Sequence, residues 1–163
     1  IFRTENGRGW GLRAASAIPH GAFIALYTGE LKSDVINYND DTSYQAETYL
    51  GETNIVIIDA LHMGNISRFI NHSCAPNAMF QRVSWDPVSS TRLQYIGVFA
   101  TRPIDNQEEI TIDYGPKYWR SMEFACLCGS FDCKYNEKKS IKRSKEMNND
   151  DDQSIIDKKR KRL

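Results

Sequence analysis

Apolar positions in this chain come in short runs, not in long helical stripes. Phe23 to Tyr27 (Phe-Ile-Ala-Leu-Tyr) has the length and composition of a strand, and Thr28-Gly29-Glu30 is expected to close it as a turn. Asn54 to Asp59 contains Ile55-Val56-Ile57-Ile58, a β-branched run that reads as a buried strand. Residues 60–71 read as a turn followed by a short helix. Residues 78–84, 93–100 and 109–113 are further strand candidates, with a turn over 101–105. Residues 34–48 are polar and acidic and read as a loop or short helix. Arg8-Gly9-Trp10-Gly11-Leu12 is a glycine-punctuated start, and no internal repeat is present. Many short strands with few helices predict a mostly β fold with long loops.

At 163 residues and 40% hydrophobic content the chain can bury one real core. From about Asn136 the composition turns to Lys, Glu, Asn and Asp, which cannot bury a core, so 136–163 is expected to be disordered. Lys158-Lys159-Arg160-Lys161-Arg162 within it reads as a nuclear localisation patch. No apolar run approaches the ~20 residues needed to span a bilayer, so no membrane partner is expected. The N-terminus lacks a signal-peptide pattern. The opening at Ile1 instead of Met reads as a fragment of something longer.

The formal net charge of zero hides a split. Residues 1–133 carry 10 Lys/Arg against 15 Asp/Glu, a balance of −5, and residues 134–163 carry 11 against 6, a balance of +5. An acidic body suits a cationic partner such as a histone tail and argues against sequence-specific DNA binding by that body. Ordinary solvated surface charge accounts for the split equally well.

The four cysteines are Cys74, Cys126, Cys128 and Cys133. An extracellular chain could pair them as two disulfides. Cys126-Leu127-Cys128 is too tight for an easy disulfide, however, and Cys-x-Cys-x4-Cys suits three thiolates converging on one metal, zinc by preference.

Two segments carry the sharpest chemistry: Arg68-Phe69-Ile70-Asn71-His72-Ser73-Cys74 and, forty residues on, Ile112-Asp113-Tyr114-Gly115. Alone, an Asn-His pair is an ordinary polar pair and Asp-Tyr-Gly an ordinary turn. In this order, with Gly9-Trp10-Gly11 before them and the cysteines after, they resemble the signature of the SET-domain lysine methyltransferases. From Asn65 to His72 and through the late cysteines, the chain most resembles the histone H3 lysine-nine group with its post-SET zinc motif. The resemblance runs from about Gly7 to Tyr135.

That resemblance implies a β-clip fold with a knot-like core that juxtaposes Asn71-His72 with Asp113-Tyr114. It implies a SET domain over 1–115 with an insert around 34–54, a post-SET zinc segment over 116–135, and the tail over 136–163. The implied cofactors are S-adenosylmethionine and zinc. Gly9 and Trp10 fall where the family contacts the methionine end of S-adenosylmethionine, with Trp10 covering it. Arg68, Asn71 and His72 fall at the cofactor too, and Tyr44 at the cofactor and the lysine channel. A structural histidine is the stronger rival for His72, ahead of a metal ligand or general base. Cys74 becomes the fourth zinc ligand beside Cys126, Cys128 and Cys133.

Tyr114 is implied as the catalytic tyrosine, with Tyr27 as a second tyrosine near the amine. Methyl transfer to lysine needs the neutral amine, although free lysine has a pKa near ~10.4. A sulfonium cation and a desolvated channel both disfavour the ammonium. The enzyme then mainly positions the amine, and a hydroxyl can orient it, so no strong base is required. Ile112, two before Tyr114, falls where the subfamily controls how many methyl groups are added. It has neither ring nor hydroxyl, which implies room for trimethylation.

The chain departs from the pattern twice. The cysteine-rich pre-SET module of that group is not in this stretch, which reads as a fragment that omits it, and Gln45-Ala46 stands where relatives place Leu-Phe, which implies a wider channel. The expected function is therefore a nuclear, chromatin-acting histone lysine methyltransferase with the H3 tail as its partner. The alternative is a SET-fold scaffold or binding module with weak catalysis. A zinc-dependent nucleic-acid binder would need a basic ordered face, and the −5 balance of the body argues against it.

Overall fold

The computed structural model describes residues 1–33, 41–84 and 92–136. It divides into two compact units, Ile1–Asp113 and Tyr114–Leu163. Among the described residues no helix is long and apolar enough to cross a membrane. The expectations for 34–40, for the 137–163 tail and for its basic patch lie outside the described residues.

The first unit is built of short strands, as the apolar runs predict. Strand β1 (Phe2–Arg3) pairs antiparallel with β2 (Trp10–Gly11). Strand β3 (Phe23–Tyr27) pairs with β9 (Tyr95–Ala100), which also pairs with β8 (Ala78–Val83). A second three-stranded sheet sets β6 (Asn54–Gly64) between β4 (Gly29–Ser33) and β5 (Gln45–Leu50). Its inner strand carries the β-branched run, with Ile57 and Ile58 buried. Tyr27, Ile58, Ala60 and Ile96 form a core cluster, with Tyr44 and Ala46 packed against it.

Three local expectations are corrected. Thr28-Gly29-Glu30 is not a closing turn, because the chain enters β4 at Gly29. A Cβ on Gly29 would lie 2.4 Å from the Asp59 carbonyl oxygen, so only glycine permits that approach. The strand begun at Asn54 does not end at Asp59 but runs to Gly64, leaving only the 3-10 turn Ile66–Phe69 as helix. The polar stretch after Asp41 contains β5, whose apparent polarity reflects an edge position with one buried member, Thr48.

The pairing that matters most for function is the smallest. Strand β7 (Asn71–His72) runs parallel to β10 (Thr111–Ile112), with Asn71 opposite Thr111 and His72 opposite Ile112. The Ser73 amide donates to the Ile112 carbonyl at 2.9 Å and extends the pair. Two motifs forty residues apart thus lie side by side.

The second unit contains helix α1 (Gly115–Ser121), which begins immediately after Tyr114 and carries Pro116 in its first turn. The rest of its described chain holds no further helix or strand, and Trp119 stacks on Tyr135 at 5.0 Å between ring centroids.

Candidate functional site

The 3-10 turn after β6 is set by Asn65. Its side chain accepts from the Ser67 amide and donates to the Leu26 carbonyl at 2.8 Å, while its own amide donates to Thr28 Oγ1 at 3.1 Å. This cap fastens the turn to the end of β3 and so presents Arg68 beside Tyr27 and Tyr44. The Arg68 guanidinium donates to the Leu61 carbonyl at 2.8 Å and lies 4.3 Å over the Tyr44 ring. Its Nε is buried with no hydrogen-bond partner among the described residues.

Tyr27 is 8% exposed and donates its hydroxyl to the Tyr44 carbonyl at 2.6 Å. Burial pushes its pKa well above the usual phenol range, and the nearby Arg68 cation only partly opposes this. Tyr27 is therefore a neutral phenol whose proton is committed, leaving oxygen lone pairs as an acceptor. Its ring packs against Phe80 at 5.1 Å, and Ala46 sits against the same cluster.

Asn71 joins the glycine-flanked start to the end of the unit. Its Nδ2 donates to the Trp10 carbonyl at 3.0 Å and to Glu109 Oε1 at 2.9 Å. Both amide protons are used, and the carbonyl oxygen remains. Gly9 has φ +81° and open space where a Cβ would stand. Trp10 is 51% exposed, with the Arg3 guanidinium 5.5 Å from its ring centroid.

His72 faces inward. It is 5% exposed, with Nε2 3.3 Å from Cys74 Sγ and Nδ1 3.6 Å from an Asp113 carboxylate oxygen. Its imidazole is thus held in the protein interior, and any ligand contact falls to its backbone. Ile112 is buried in β10.

Two residues absent from the sequence reading organise this region. Asn77 is 1% exposed; it donates to Glu108 Oε1 at 2.9 Å and to the Glu109 carbonyl at 2.8 Å, and accepts from the Thr111 amide at 2.9 Å. Glu109 bonds Asn71 and pairs with Arg8 at 2.6 Å. The signals were present as Asn77 close behind the Asn-His-Ser-Cys run and Glu108-Glu109 just before β10, but their partners are remote in sequence.

Within the second unit, Tyr114 precedes α1 and meets Tyr118 edge-on at 4.8 Å. The sulfurs of Cys126, Cys128 and Cys133 lie within 4.8 Å of one another, and none is in a disulfide. Burial pushes the Cys126 thiol well up, and hydrogen bonding to the Cys128 and Cys133 side chains adds to this. Three cysteine sulfurs gathered this closely suit a divalent metal that takes thiolate ligands. The donor set therefore fits zinc.

Comparison with known proteins agrees with this geometry. The SET domain family profile matches residues 9–115. The chain is 39% identical over 149 residues to the tobacco (Nicotiana tabacum) protein named histone-lysine N-methyltransferase, H3 lysine-9 specific SUVH1, covering 82% of this chain and 21% of that one. It is 33% identical over 152 residues to an Arabidopsis thaliana protein named probable inactive histone-lysine N-methyltransferase SUVR2, again covering 82% and 21%. The crystal structure of the methyltransferase domain of human histone-lysine N-methyltransferase SETMAR superposes with TM-score 0.65 and 27% identity, covering 83% of this chain and 56% of that one. The chain thus spans about a fifth of the length of these curated relatives.

Proposed function

The chain belongs to the SET-domain family, and from that membership we propose that it transfers methyl groups to a lysine side-chain nitrogen. The observation that carries this reading is the parallel pairing of Asn71-His72 with Thr111-Ile112, which puts the cofactor-type motif beside the strand leading into Asp113-Tyr114. S-adenosylmethionine, when bound, would supply a methyl group on a sulfonium, open to displacement by an amine.

The chain's own residues divide the remaining work. Gly9, Trp10, Tyr44, Arg68, Asn71 and His72 are proposed to hold the cofactor, His72 through its backbone. The oxygen of Tyr27 accepts a hydrogen bond from the lysine nitrogen, because its own proton goes to the Tyr44 carbonyl. Neutral and buried, Tyr27 orients the amine and does not remove a proton from it. Tyr114 is proposed to complete the amine site with its hydroxyl. Ile112 brings no hydroxyl to hold water or a partly methylated amine, which favours trimethyl product. Zinc is proposed at Cys126, Cys128 and Cys133, with Cys74 as the fourth ligand.

The substrate class follows from the relatives' names and from the acidic body: a basic histone tail, H3 first, methylated in nuclear chromatin. A scaffold without turnover is the second reading, motivated by the small Ala46 beside Tyr27. Incubating the chain with isotope-labelled S-adenosylmethionine and a panel of histone peptides separates the two. Mass spectrometry should locate label on one lysine of an H3 peptide; S-adenosylmethionine binding with no transfer to any peptide would select the scaffold.

A further inference from the structure

Glu109 stands just ahead of β10 and is held on several sides. Its carbonyl accepts from Asn77, its Oε2 pairs with Arg8 Nη2 at 2.6 Å, and its Oε1 accepts from Asn71 Nδ2 at 2.9 Å. Its side chain is 20% exposed and that of Arg8 16%, so the ion pair is only partly screened by water. Arg8 is itself steadied by its Nε bond to Asn6 Oδ1 at 3.0 Å. Gly11 clears the space for this arrangement: a Cβ there would lie 2.9 Å from Glu109 Oε1 and 2.7 Å from the Phe2 ring.

The consequence concerns which way the Asn71 carboxamide points. Its nitrogen faces two acceptors, the Trp10 carbonyl and the Glu109 carboxylate. Turning the amide over would set its oxygen against both, a repulsion with no compensating bond. The orientation is therefore fixed by chemistry: the amide protons go to Trp10 and Glu109, and the carbonyl oxygen has no partner among the described residues and can meet a ligand. A free carbonyl oxygen accepts and cannot donate, so it takes an ammonium group and rejects a carboxylate.

We propose that Glu109 is a positioning residue for the amino-acid end of the cofactor, locking Asn71 as an acceptor for the cofactor's α-ammonium group. The inference rests on the methyltransferase reading above. Glu109 touches no reacting atom; it acts through Asn71, with Arg8 holding its carboxylate. In Glu109→Gln the new side chain can present an NH2 to Asn71, which leaves the Trp10 carbonyl alone to hold the amide in this orientation.

The test uses the full chain and two nucleosides that differ only at the relevant end. S-adenosylhomocysteine carries the α-ammonium; 5′-methylthioadenosine lacks the whole amino-acid moiety. Calorimetry should show Glu109→Gln losing S-adenosylhomocysteine affinity by about tenfold, the size expected for one hydrogen bond to a charged group. Affinity for 5′-methylthioadenosine should stay within about twofold of the parent by the same conversion. A merely structural role would weaken both ligands alike, and that outcome, or unchanged binding of both, overturns the inference. Should Glu109→Gln not fold by circular dichroism, Arg8→Gln frees the carboxylate and should lower the same affinity ratio several-fold; an unchanged ratio there also overturns it. A parent protein that binds neither nucleoside would instead sink the methyltransferase reading.

Discussion

Replacing Asn77 by alanine should cost more stability than its small side chain suggests. Asn77 is 1% exposed and makes three side-chain bonds, to Glu108 Oε1, the Glu109 carbonyl and the Thr111 amide, all between 2.8 and 2.9 Å. Alanine leaves the Glu109 carbonyl and the Thr111 amide without those partners, and each buried polar group left unpaired costs about 1–3 kcal/mol. Losing the bond to the Glu108 carboxylate adds about 1–2 kcal/mol, discounted because that group is partly exposed. Water entering the vacated space recovers part of the loss. The expected destabilisation is about 3–5 kcal/mol, a large share of the roughly 5–15 kcal/mol typical of a domain. With a urea m-value of about 2 kcal/mol/M, the unfolding midpoint should fall by about 1.5–2.5 M. Asn77→Asp serves as a control: it keeps an acceptor for Thr111 but sets a second carboxylate against Glu108. Its loss at neutral pH should therefore shrink as the pH is lowered and a carboxyl is protonated. A midpoint shift in Asn77→Ala worth less than about 1 kcal/mol would show that these bonds do not hold the segment before β10.

Tyr114→Phe should retain the fold and S-adenosylmethionine binding while losing turnover by on the order of 10²-fold, measured as steady-state methyl transfer; parental rates would remove Tyr114 from catalysis. Elemental analysis should find one zinc per chain, and Cys128→Ser should lose it, speed amide exchange across residues 120–135 and lower activity, since that segment has little core of its own. Metal-free protein isolated without chelators would contradict the site. Ile112→Tyr should move the product toward monomethyl-lysine at unchanged cofactor affinity, read by mass spectrometry; a parent enzyme that stops at monomethyl would show Ile112 misread. The Arg102 guanidinium, with the Asp105 amide and Asn77, outweighs burial and holds the Glu108 carboxyl at about 2, against 4.5 ordinarily. Because the folded-state value is depressed, its contribution is fully present above pH 4.5 and lost as the pH falls through about 2, so Glu108→Gln should flatten the stability profile in that window.

Much of this protein was legible without coordinates. The β-branched run at 55–58 and the apolar run at 23–27 marked strands, because β-branched and aromatic side chains suit a pleated, partly buried surface. The family was legible from local motifs, since side chains that grip a ligand must be of particular types in a particular order. The cysteine spacing likewise announced three thiols gathered in one place, because ligands a few residues apart on a turning chain can converge without help from the rest of the fold.

Tertiary structure alone decided what lies far apart in sequence. That β6 continues to Gly64 depends on β4 crossing at Gly29, a contact between backbones that no local propensity encodes. The parallel pairing of Asn71-His72 with Thr111-Ile112 is two residues long and too short to leave a pattern. The inward turn of His72, the commitment of the Tyr27 proton to the Tyr44 carbonyl, and the Arg8–Glu109–Asn71 chain are hydrogen-bond choices among several that each side chain could make. A sequence names donors and acceptors, but which of them meet is set by the packing that brings their strands together.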